Sequence, residues 1–342
     1  MYEEKFLSKL PFLNFILATL IVFHHCFNIN IEYNSYLISS FFTENSAYII
    51  ERYLYNISEC SVPVFFFVSS FLFFRTYDQN IEVYKYKIHK RLYSLFIPYI
   101  LYNTLGYFKH IIISGESFDV LNCLTSIINS SSMPLWFIRE LMIFAILAPV
   151  FYFMITRKKI AFIVIIMATI LSVFGIFTYR SFLYWIPIYV FGGMMNDKFI
   201  QKKISSWICN HRTMFLHITI LLFFLVLIVA FFLPNSFDDK ISIPNSLIYY
   251  SFRLICIPPI ILLTFVFPDV RNIYFFKYSF FMYCIHFPVI SIIKLLFGKF
   301  PFFGVLLEYF LTALITILIV CIIGFIIENK FPKLWGILNG RR

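Results

Sequence analysis

Residues 303–327 have the sequence FGVLLEYFLTALITILIVCIIGFII, in which Glu308 is the one acidic or basic residue. The run is long enough for a helix to cross the hydrocarbon core of a bilayer, which needs about 20 apolar residues. A helix satisfies its own backbone hydrogen bonds, so it can lie in lipid where an open strand cannot. This stretch therefore predicts a transmembrane helix.

Similar apolar runs fill most of the 342-residue chain. Hydrophobic residues make up 61% of it and charged residues 13%, whereas soluble domains carry roughly 25% charged residues. This composition excludes a soluble enzyme and a disordered chain, and long continuous runs do not suit a β-barrel. We predict an all-α polytopic membrane protein, a bundle of about ten transmembrane helices in a single membrane-embedded domain over residues 1–342. The ten runs are 10–28, 60–77, 92–113, 134–155, 159–178, 181–197, 213–233, 246–267, 273–297 and 303–327.

Two further segments and the N-terminus complete the outline. Residues 47–58 extend the second helix or lie along the interface, and residues 118–130 are predicted to form a short interfacial helix. The N-terminal segment has no small-residue cleavage site, so the first apolar run is predicted to be a retained helix.

The net charge of +11 agrees with this topology. Lys and Arg collect in the cytoplasmic loops of membrane proteins. With the N-terminus inside, twenty of the 28 basic residues fall in inner segments and six in outer ones. Both termini are therefore predicted to be cytoplasmic, and the basic balance gives no reason to expect a nucleic-acid partner.

Ionisable side chains within the predicted helices are the candidate functional residues. Each costs roughly 2.5–3.5 kcal/mol on insertion, and with this topology all of them fall in the outer half of the bilayer. They are His24 and His25 in the first helix, Arg139 and Glu140 in the fourth, Arg253 in the eighth and His286 in the ninth.

Each of these residues also has a structural interpretation. In that interpretation, Arg139 and Glu140 are an ion pair that holds helices together, and Arg253 extends to the outer interface. His286 makes a hydrogen bond at a helix kink. The adjacent histidines of the first helix point about 100° apart, so one of them is predicted to be structural.

The residue types suit acid–base chemistry. A neutral His accepts a proton from a hydroxyl, and an Arg stabilises an oxyanion in a dry site, as acyl transfer to an alcohol requires. No pair shows the i, i+4 spacing of helical metal ligands, so no metal is predicted. A proton-coupled transporter uses the same residue types, so both interpretations stay open here.

Six sequence motifs follow one another along the chain. They are LNFILATLIVFHH (13–25), SVPVFFFVSSFLFFR (61–75), YKYKIHKRLYSLFIPYIL (84–101), MPLWFIRELMIFAILAP (133–149), WIPIYVFGGMM (185–195, with a small-residue turn at Gly192 and Gly193) and SFFMYCIHFPVI (279–290). In this order they resemble the acyltransferase family 3 membrane proteins over residues 10 to 330. The resemblance implies a ten-helix enzyme of the bacterial inner (plasma) membrane. Such enzymes move acyl groups, commonly acetyl from acetyl-CoA, onto surface polysaccharides, peptidoglycan or lipid-linked glycans.

The resemblance implies catalytic roles for four residues. His25 matches the catalytic base of the family's first helix, and His24 is the alternative. The family's Arg eleven residues before that base is replaced by Asn14, which shares a helix face with His25. Arg139 and Glu140 match the motif of the fourth helix and are expected to position the base or the thioester carbonyl.

Further residues are expected to bind the substrate. Trp136 is expected to stack on the acceptor sugar, and Tyr283 and His286 match the family's tyrosine-and-histidine motif. Ser69 matches the Ser of a Ser-Gly pair whose Gly this chain lacks. Arg253 is a further candidate for substrate binding.

Arg75, Lys90 and Arg91 are expected to meet the anionic end of acetyl-CoA, the acyl donor, in an inner loop. The general tendency of Lys and Arg to lie on the cytoplasmic side explains the positive charge of this loop equally well, without a bound ligand.

We therefore predict a multi-pass O-acyltransferase of polysaccharide biosynthesis in the cell envelope, with acyl-CoA, a glycan acceptor and membrane lipid as partners. The alternatives are a glycan exporter or flippase, which the lost Arg and Gly favour, and a non-catalytic envelope scaffold. The acceptor, the acyl group and the oligomeric state are left open.

Overall fold

The computed structural model describes residues 2–27, 44–234, 242–266, 273–299 and 304–341. Of these residues 85% are helical, and this part of the chain contains no β-strand. The predicted all-α class is confirmed. The α-helices are α1 (Tyr2–Cys26), α2 (Glu44–Ser58), α3 (Ser61–Phe74), α4 (Ile81–Arg91), α5 (Ile97–Ser114), α6 (Val120–Asn129), α7 (Trp136–Ile146), α8 (Ala148–Thr156), α9 (Lys158–Val173), α10 (Phe182–Met194), α11 (Lys198–Asn210), α12 (Arg212–Phe231), α13 (Ile243–Ile255), α14 (Ile257–Val266), α15 (Ser279–Lys299), α16 (Val305–Lys330) and α17 (Pro332–Leu338). A π-helical turn, Leu92–Phe96, precedes α5, and a 3₁₀ turn, Tyr274–Tyr278, precedes α15.

Several helical stretches of the described residues are long and apolar enough to cross a membrane. Six qualify singly, and α7 with α8 makes a seventh if that bent pair is one broken span. The multi-pass helical membrane class is thus confirmed, whereas the count of ten stays a prediction, because α9 and α10 have only 16 and 13 residues. The six are Phe6–Cys26, Ala47–Phe74, Arg212–Phe231, Ile243–Val266, Tyr274–Gly298 and Val305–Lys330.

Prolines account for two breaks within the apolar runs. α7 and α8 are bent by 69° at Leu147, and Pro149 lies in the first turn of α8. Pro258 and Pro259 lie in the first turn of α14, directly after α13. A proline has no N–H for the helical hydrogen bond and disfavours helical geometry in the residue before it. Each of these two runs therefore folds as two helices.

The predicted short helix at residues 118–130 is confirmed as α6. The Asp119 side chain accepts a hydrogen bond of 2.7 Å from the N–H of Asn122, so it caps the helix N-terminus. Ser130 ends the helix in the left-handed region, with a φ of 51°. The Ser130 hydroxyl then donates to the Met133 carbonyl at 2.8 Å and orders the loop before α7.

The chain divides into two compact units. The prediction of a single domain over residues 1–342 stays a prediction. The first unit comprises Met1–Leu10, Cys60–Leu92 and Phe137–Arg271, and the second comprises Pro11–Glu59, Tyr93–Trp136 and Asn272–Arg342.

Aromatic rings fill the core of the first unit, where α3 packs against α10 and α14. The Tyr189 ring stacks on Phe144 with 4.0 Å between centroids, and the Trp185 ring stacks on Phe66 at 4.9 Å. All four side chains are buried. Stacked rings of this size contribute much of the burial and fix the orientation of the helices.

The close approach of α3 and α10 depends on Gly192. A Cβ atom on Gly192 would lie 2.4 Å from the Phe67 carbonyl oxygen. In the same interface the Ser70 hydroxyl donates a hydrogen bond to the Tyr189 carbonyl. Gly192 and Gly193, which the resemblance matched to a small-residue turn, lie in the last turn of α10.

The second unit is built around α15 and α16, which pack against each other. α15 also packs against α5, and α16 against α2 and α17. Tyr309 of α16 is fully buried, and its hydroxyl donates to the Phe23 carbonyl of α1 at 3.1 Å. The Tyr283 hydroxyl of α15 donates to the Pro134 carbonyl at 3.0 Å. These hydrogen bonds attach the two helices that carry the histidines to their neighbours, α1 to α16 and α15 to the loop before α7.

Candidate functional site

His24 and His25 lie in the last turn of α1, whose final carbonyls have no partner within the helix. Lys294 of α15 supplies one partner, because its Nζ donates to the Phe27 carbonyl at 3.0 Å. Tyr309 supplies another through its bond to Phe23. Two neighbouring helices thus hold the turn that carries both histidines.

His24 is held by residues of α2. Its Nδ1 lies 2.7 Å from the Ser58 hydroxyl oxygen, and its ring stacks on Tyr55 with 3.9 Å between centroids. The Ser58 hydroxyl gives its one hydrogen to the Tyr55 carbonyl. The His24 Nδ1 is therefore the donor to Ser58, and its proton lies on Nδ1 rather than Nε2.

Three imidazole rings form a row in the second unit. The centroid of the His25 ring is 5.1 Å from that of His24 and 5.0 Å from that of His286. The Phe287 ring lies 5.8 Å from His25 on the side of α15. The sequence predicted that these histidines share one depth, and the structure brings all three together with His25 in the middle. We call these three residues the histidine row.

His286 has one bonded and one unbonded ring nitrogen. Its Nδ1 lies 2.8 Å from the Tyr283 carbonyl oxygen and 3.3 Å from that of Met282. Since carbonyl oxygens only accept hydrogen bonds, Nδ1 carries the proton and Nε2 carries a lone pair. The side chain is fully buried, and Nε2 has no hydrogen-bond partner among the residues that the structure describes. A buried acceptor without a partner costs roughly 1–3 kcal/mol, so it is a strong candidate for a ligand contact.

A half-buried charged group, Lys294, lies beside the histidine row. The sequence assigned this residue to the outer segments. The Lys294 ammonium interacts with the carboxylates of Glu51 and Glu308. Glu51 is only 2% exposed. Lys294 follows His286 by eight residues in α15, about two turns, and this spacing is the sequence signal that points to it.

The other predicted residues of the second unit lie at different distances from the row. The Tyr283 ring is 6.1 Å from the His286 ring, so these two are brought together. Trp136 is half-buried at the start of α7, two residues after the carbonyl that Tyr283 bonds. Asn14 is half-buried in α1, about 16 Å along the helix axis from His25, and so is not part of the row.

Arg139 and Glu140 form a pair in the first unit. The Arg139 Nε and Nη2 donate to the same Glu140 oxygen at 2.8 and 2.6 Å. Nη2 also donates to the Arg180 carbonyl at 2.8 Å, and Glu140 accepts from the N–H of Phe182 at the start of α10. These contacts attach α7 to the segment before α10, in agreement with the structural interpretation. The catalytic role of the pair stays a prediction.

Arg253, also in the first unit, is enclosed by aromatic rings. Its Nη1 donates to the Tyr184 hydroxyl at 2.6 Å. The guanidinium carbon lies 5.4, 5.6 and 5.7 Å from the ring centroids of Tyr184, Trp185 and Tyr249. These cation–π contacts hold the half-buried side chain within the unit. Its role in substrate binding stays a prediction.

The basic residues predicted to meet the acyl donor lie at the end of α3 and in α4. Arg75 and Lys90 are exposed, whereas Arg91 is half-buried with its guanidinium 5.9 Å from the Phe73 ring. The structure therefore places Arg75 and Lys90 at the surface, where they can meet an anion. Their role in binding the donor is not tested by these contacts.

Lys87 is a further basic residue of α4. Its Nζ donates to the Phe73 carbonyl at 2.8 Å and to the Thr76 hydroxyl at 2.7 Å, near the end of α3. Burial lowers the pKa of Lys87 to about 8, and repulsion by Arg91 and Lys90 adds to the effect. Its charge is thus sensitive to mildly alkaline pH.

Ser69 is half-buried in α3, and its neighbour Ser70 makes the interhelical hydrogen bond to Tyr189. Ser70 therefore has the structural role. In the described part of the chain, no three His, Cys, Asp or Glu side chains are arranged to hold a metal ion.

The fold and these sites define a multi-pass helical membrane protein with buried acid–base groups. The chain belongs to acyltransferase family 3, whose model, described as an acyltransferase domain, matches residues 10–326. It is therefore a membrane acyltransferase by family, as the resemblance predicted. No curated protein and no solved structure shows significant similarity to the chain.

Proposed function

We propose that the protein transfers an acyl group, acetyl in the first instance, from cytosolic acyl-CoA to a hydroxyl of a cell-surface polysaccharide or lipid-linked glycan. We further propose that it acts in the bacterial inner membrane, with ten crossings and both termini in the cytoplasm. Family membership supports acyl transfer. The observation that carries the proposal is the histidine row, with the buried and unpartnered Nε2 of His286.

Acyl transfer to an alcohol needs a base, because a neutral hydroxyl is a weak nucleophile. In the proposed reaction His25 takes the hydroxyl proton while the oxygen attacks the thioester carbonyl carbon. The carbon–sulfur bond then breaks, and the proton passes from His25 to the departing CoA thiolate. The reaction releases no net proton, so the base is restored within each turnover.

The neighbouring histidines have different tasks in this proposal. Sugars carry adjacent hydroxyls, so His286 Nε2 can accept a hydrogen bond from one of them while the next lies at His25. His24 gives its Nδ1 proton to Ser58 and stacks on Tyr55, which fits a positioning role. This division agrees with the prediction that one of the two adjacent histidines is structural.

The basic surface of α4 is the proposed site for the nucleotide end of the donor. Lys90 is exposed there and makes no ion pair within the described residues. A Lys ammonium is a common partner of phosphate.

The test is acetyl incorporation into surface glycan by cells that carry the His25→Ala protein. Loss of a general base is expected to lower incorporation about a hundredfold or more. His217→Ala is the matched control, because His217 is exposed on α12 in the first unit. Wild-type incorporation by His25→Ala would refute the base assignment, and His24→Ala shows which of the adjacent histidines acts.

Measuring acetyl-CoA binding to the purified protein distinguishes the proposed acyltransferase function from the alternative of a glycan exporter. An acyltransferase is expected to bind acetyl-CoA, and exporters have no need to. Failure to bind would overturn the proposed donor even if surface glycan were altered in cells.

A further inference from the structure

Lys109 lies in α5 within the second unit and is half-buried. Its Nζ is 3.4 Å from the Ser291 hydroxyl oxygen and 5.1 Å from the centroid of the Phe287 ring, both on α15. The Ser291 hydroxyl gives its hydrogen to the Phe287 carbonyl at 2.9 Å. Its oxygen therefore accepts from Lys109, and two of the three ammonium hydrogens remain for another partner.

Among the residues that the structure describes, no acid compensates the charge of Lys109. No charged group of the described residues interacts with its ammonium. The nearby Glu116 instead faces His110, at 3.9 Å. Lys294 of the same unit differs, because Glu51 and Glu308 surround it. An unpaired charge in a partly buried position is unfavourable, and such groups mark binding sites in membrane proteins.

Lys109 and His25 of the histidine row both lie close to the same aromatic ring, that of Phe287. The Phe287 ring contacts the Lys109 ammonium on one side and lies 5.8 Å from the His25 ring. Phe287 also follows His286 in the chain. A ligand bound to the row therefore has a cation within reach of its neighbouring substituents.

We propose that Lys109 binds an acidic oxygen group, a carboxylate or a phosphate, on the acceptor glycan whose hydroxyl lies at His25. This inference rests on the proposed function and narrows its acceptor to an anionic sugar. A compact ammonium with two open donors suits a terminal oxygen of either group. A lipid headgroup phosphate has the same chemistry, so the experiment must separate acceptor from lipid.

The binding test uses the purified full-length protein in phosphatidylcholine nanodiscs, with methyl glucuronide as the anionic probe and methyl glucoside as the neutral one. The glucuronide is expected to raise the unfolding temperature of the wild type and of Lys109→Arg more than the glucoside does. Lys109→Gln is expected to abolish that difference. Lys202→Gln is the control, because Lys202 is an exposed lysine of α11, in the first unit, with no role in the proposed sites.

Equal shifts by the two probes, or a difference that survives in Lys109→Gln, would overturn the proposal. Nanodiscs with phosphatidylglycerol provide the second arm. If that lipid alone removes the response to glucuronide, the cation belongs to the lipid headgroup and the acceptor assignment is wrong.

Acetylation of surface glycan in cells gives an independent measurement. Lys109→Gln is expected to lower it about tenfold or more, the loss typical of one hydrogen bond to a charged group, and Lys109→Arg to restore it. Wild-type acetylation by Lys109→Gln refutes the anion site and leaves the acyltransferase function intact. His25→Ala, in contrast, is expected to lose acetylation and still bind the glucuronide.

Discussion

Replacing Gly192 by Ala tests the close packing of α3 and α10. The new Cβ would lie 2.4 Å from the Phe67 carbonyl oxygen and 3.1 Å from the Phe67 carbonyl carbon and Cα. Contacts under 3.0 Å to backbone atoms require movement of the chain. The two helices would therefore have to separate, in an interface that also holds the Ser70–Tyr189 hydrogen bond.

The magnitude follows from two opposing effects. Overpacking a well-packed interface costs about 1–3 kcal/mol, and contact with backbone rather than a flexible side chain places Gly192→Ala at the upper end. Ala gains about 1 kcal/mol over Gly in helix propensity. We therefore expect a net destabilisation of about 2 kcal/mol.

Gly298→Ala is the matched control for this prediction. Gly298 also lies in a helix, α15, and a Cβ there would meet no atom within 4 Å. This variant is expected to be neutral or more stable by up to about 1 kcal/mol. Thermal unfolding of both variants in the same detergent gives the comparison. If Gly192→Ala is as stable as Gly298→Ala, the inferred contact of α3 with α10 is wrong.

Two further predictions concern Ser58 and Lys87. Ser58→Ala is expected to destabilise the protein by about 1–3 kcal/mol, because it removes the acceptor of the His24 Nδ1 proton. Thermal unfolding measures this loss. Ser58→Thr keeps the hydroxyl and should retain more stability than Ser58→Ala. If α4 binds the phosphates of acetyl-CoA, the affinity for acetyl-CoA should weaken as the pH rises through the Lys87 pKa of about 8. The Lys87 ammonium becomes neutral in this range. The phosphates keep their charge, because they are ionised above about pH 6. Titration calorimetry at about pH 7 and about pH 9 measures it, and equal affinities, or the same decrease in Lys87→Arg, would argue against the contribution of Lys87.

Local chemistry in the sequence predicted the helices well where the apolar runs were long. α16 and the helix of the His286 motif match the predicted runs closely, because an uninterrupted apolar run in lipid has no alternative to a helix. The runs that contain Pro149 and Pro258 fold as two helices each. Proline marks where a helix can break, whereas the bend depends on packing around it.

The histidines illustrate what a sequence pattern leaves open. Depth in the bilayer predicted that His24, His25 and His286 lie at one level, and the structure brings their rings together. The depth of a residue in the bilayer did not predict the hydrogen bond between His24 and Ser58. It also did not predict that the Nε2 of His286 has no hydrogen-bond partner among the described residues. Those facts depend on carbonyl and hydroxyl groups of other helices, which no spacing along one helix determines.

For the charged residues too, some properties follow from the sequence and others only from the tertiary structure. The sequence by itself determined that this is a helical membrane protein of the acyltransferase class, because hydropathy and motif order are properties of the linear chain. Only the tertiary structure decided that acids compensate Lys294, whereas no acid of the described ranges compensates Lys109. Charge compensation depends on distances between helices that are far apart in the chain, and packing alone sets those distances.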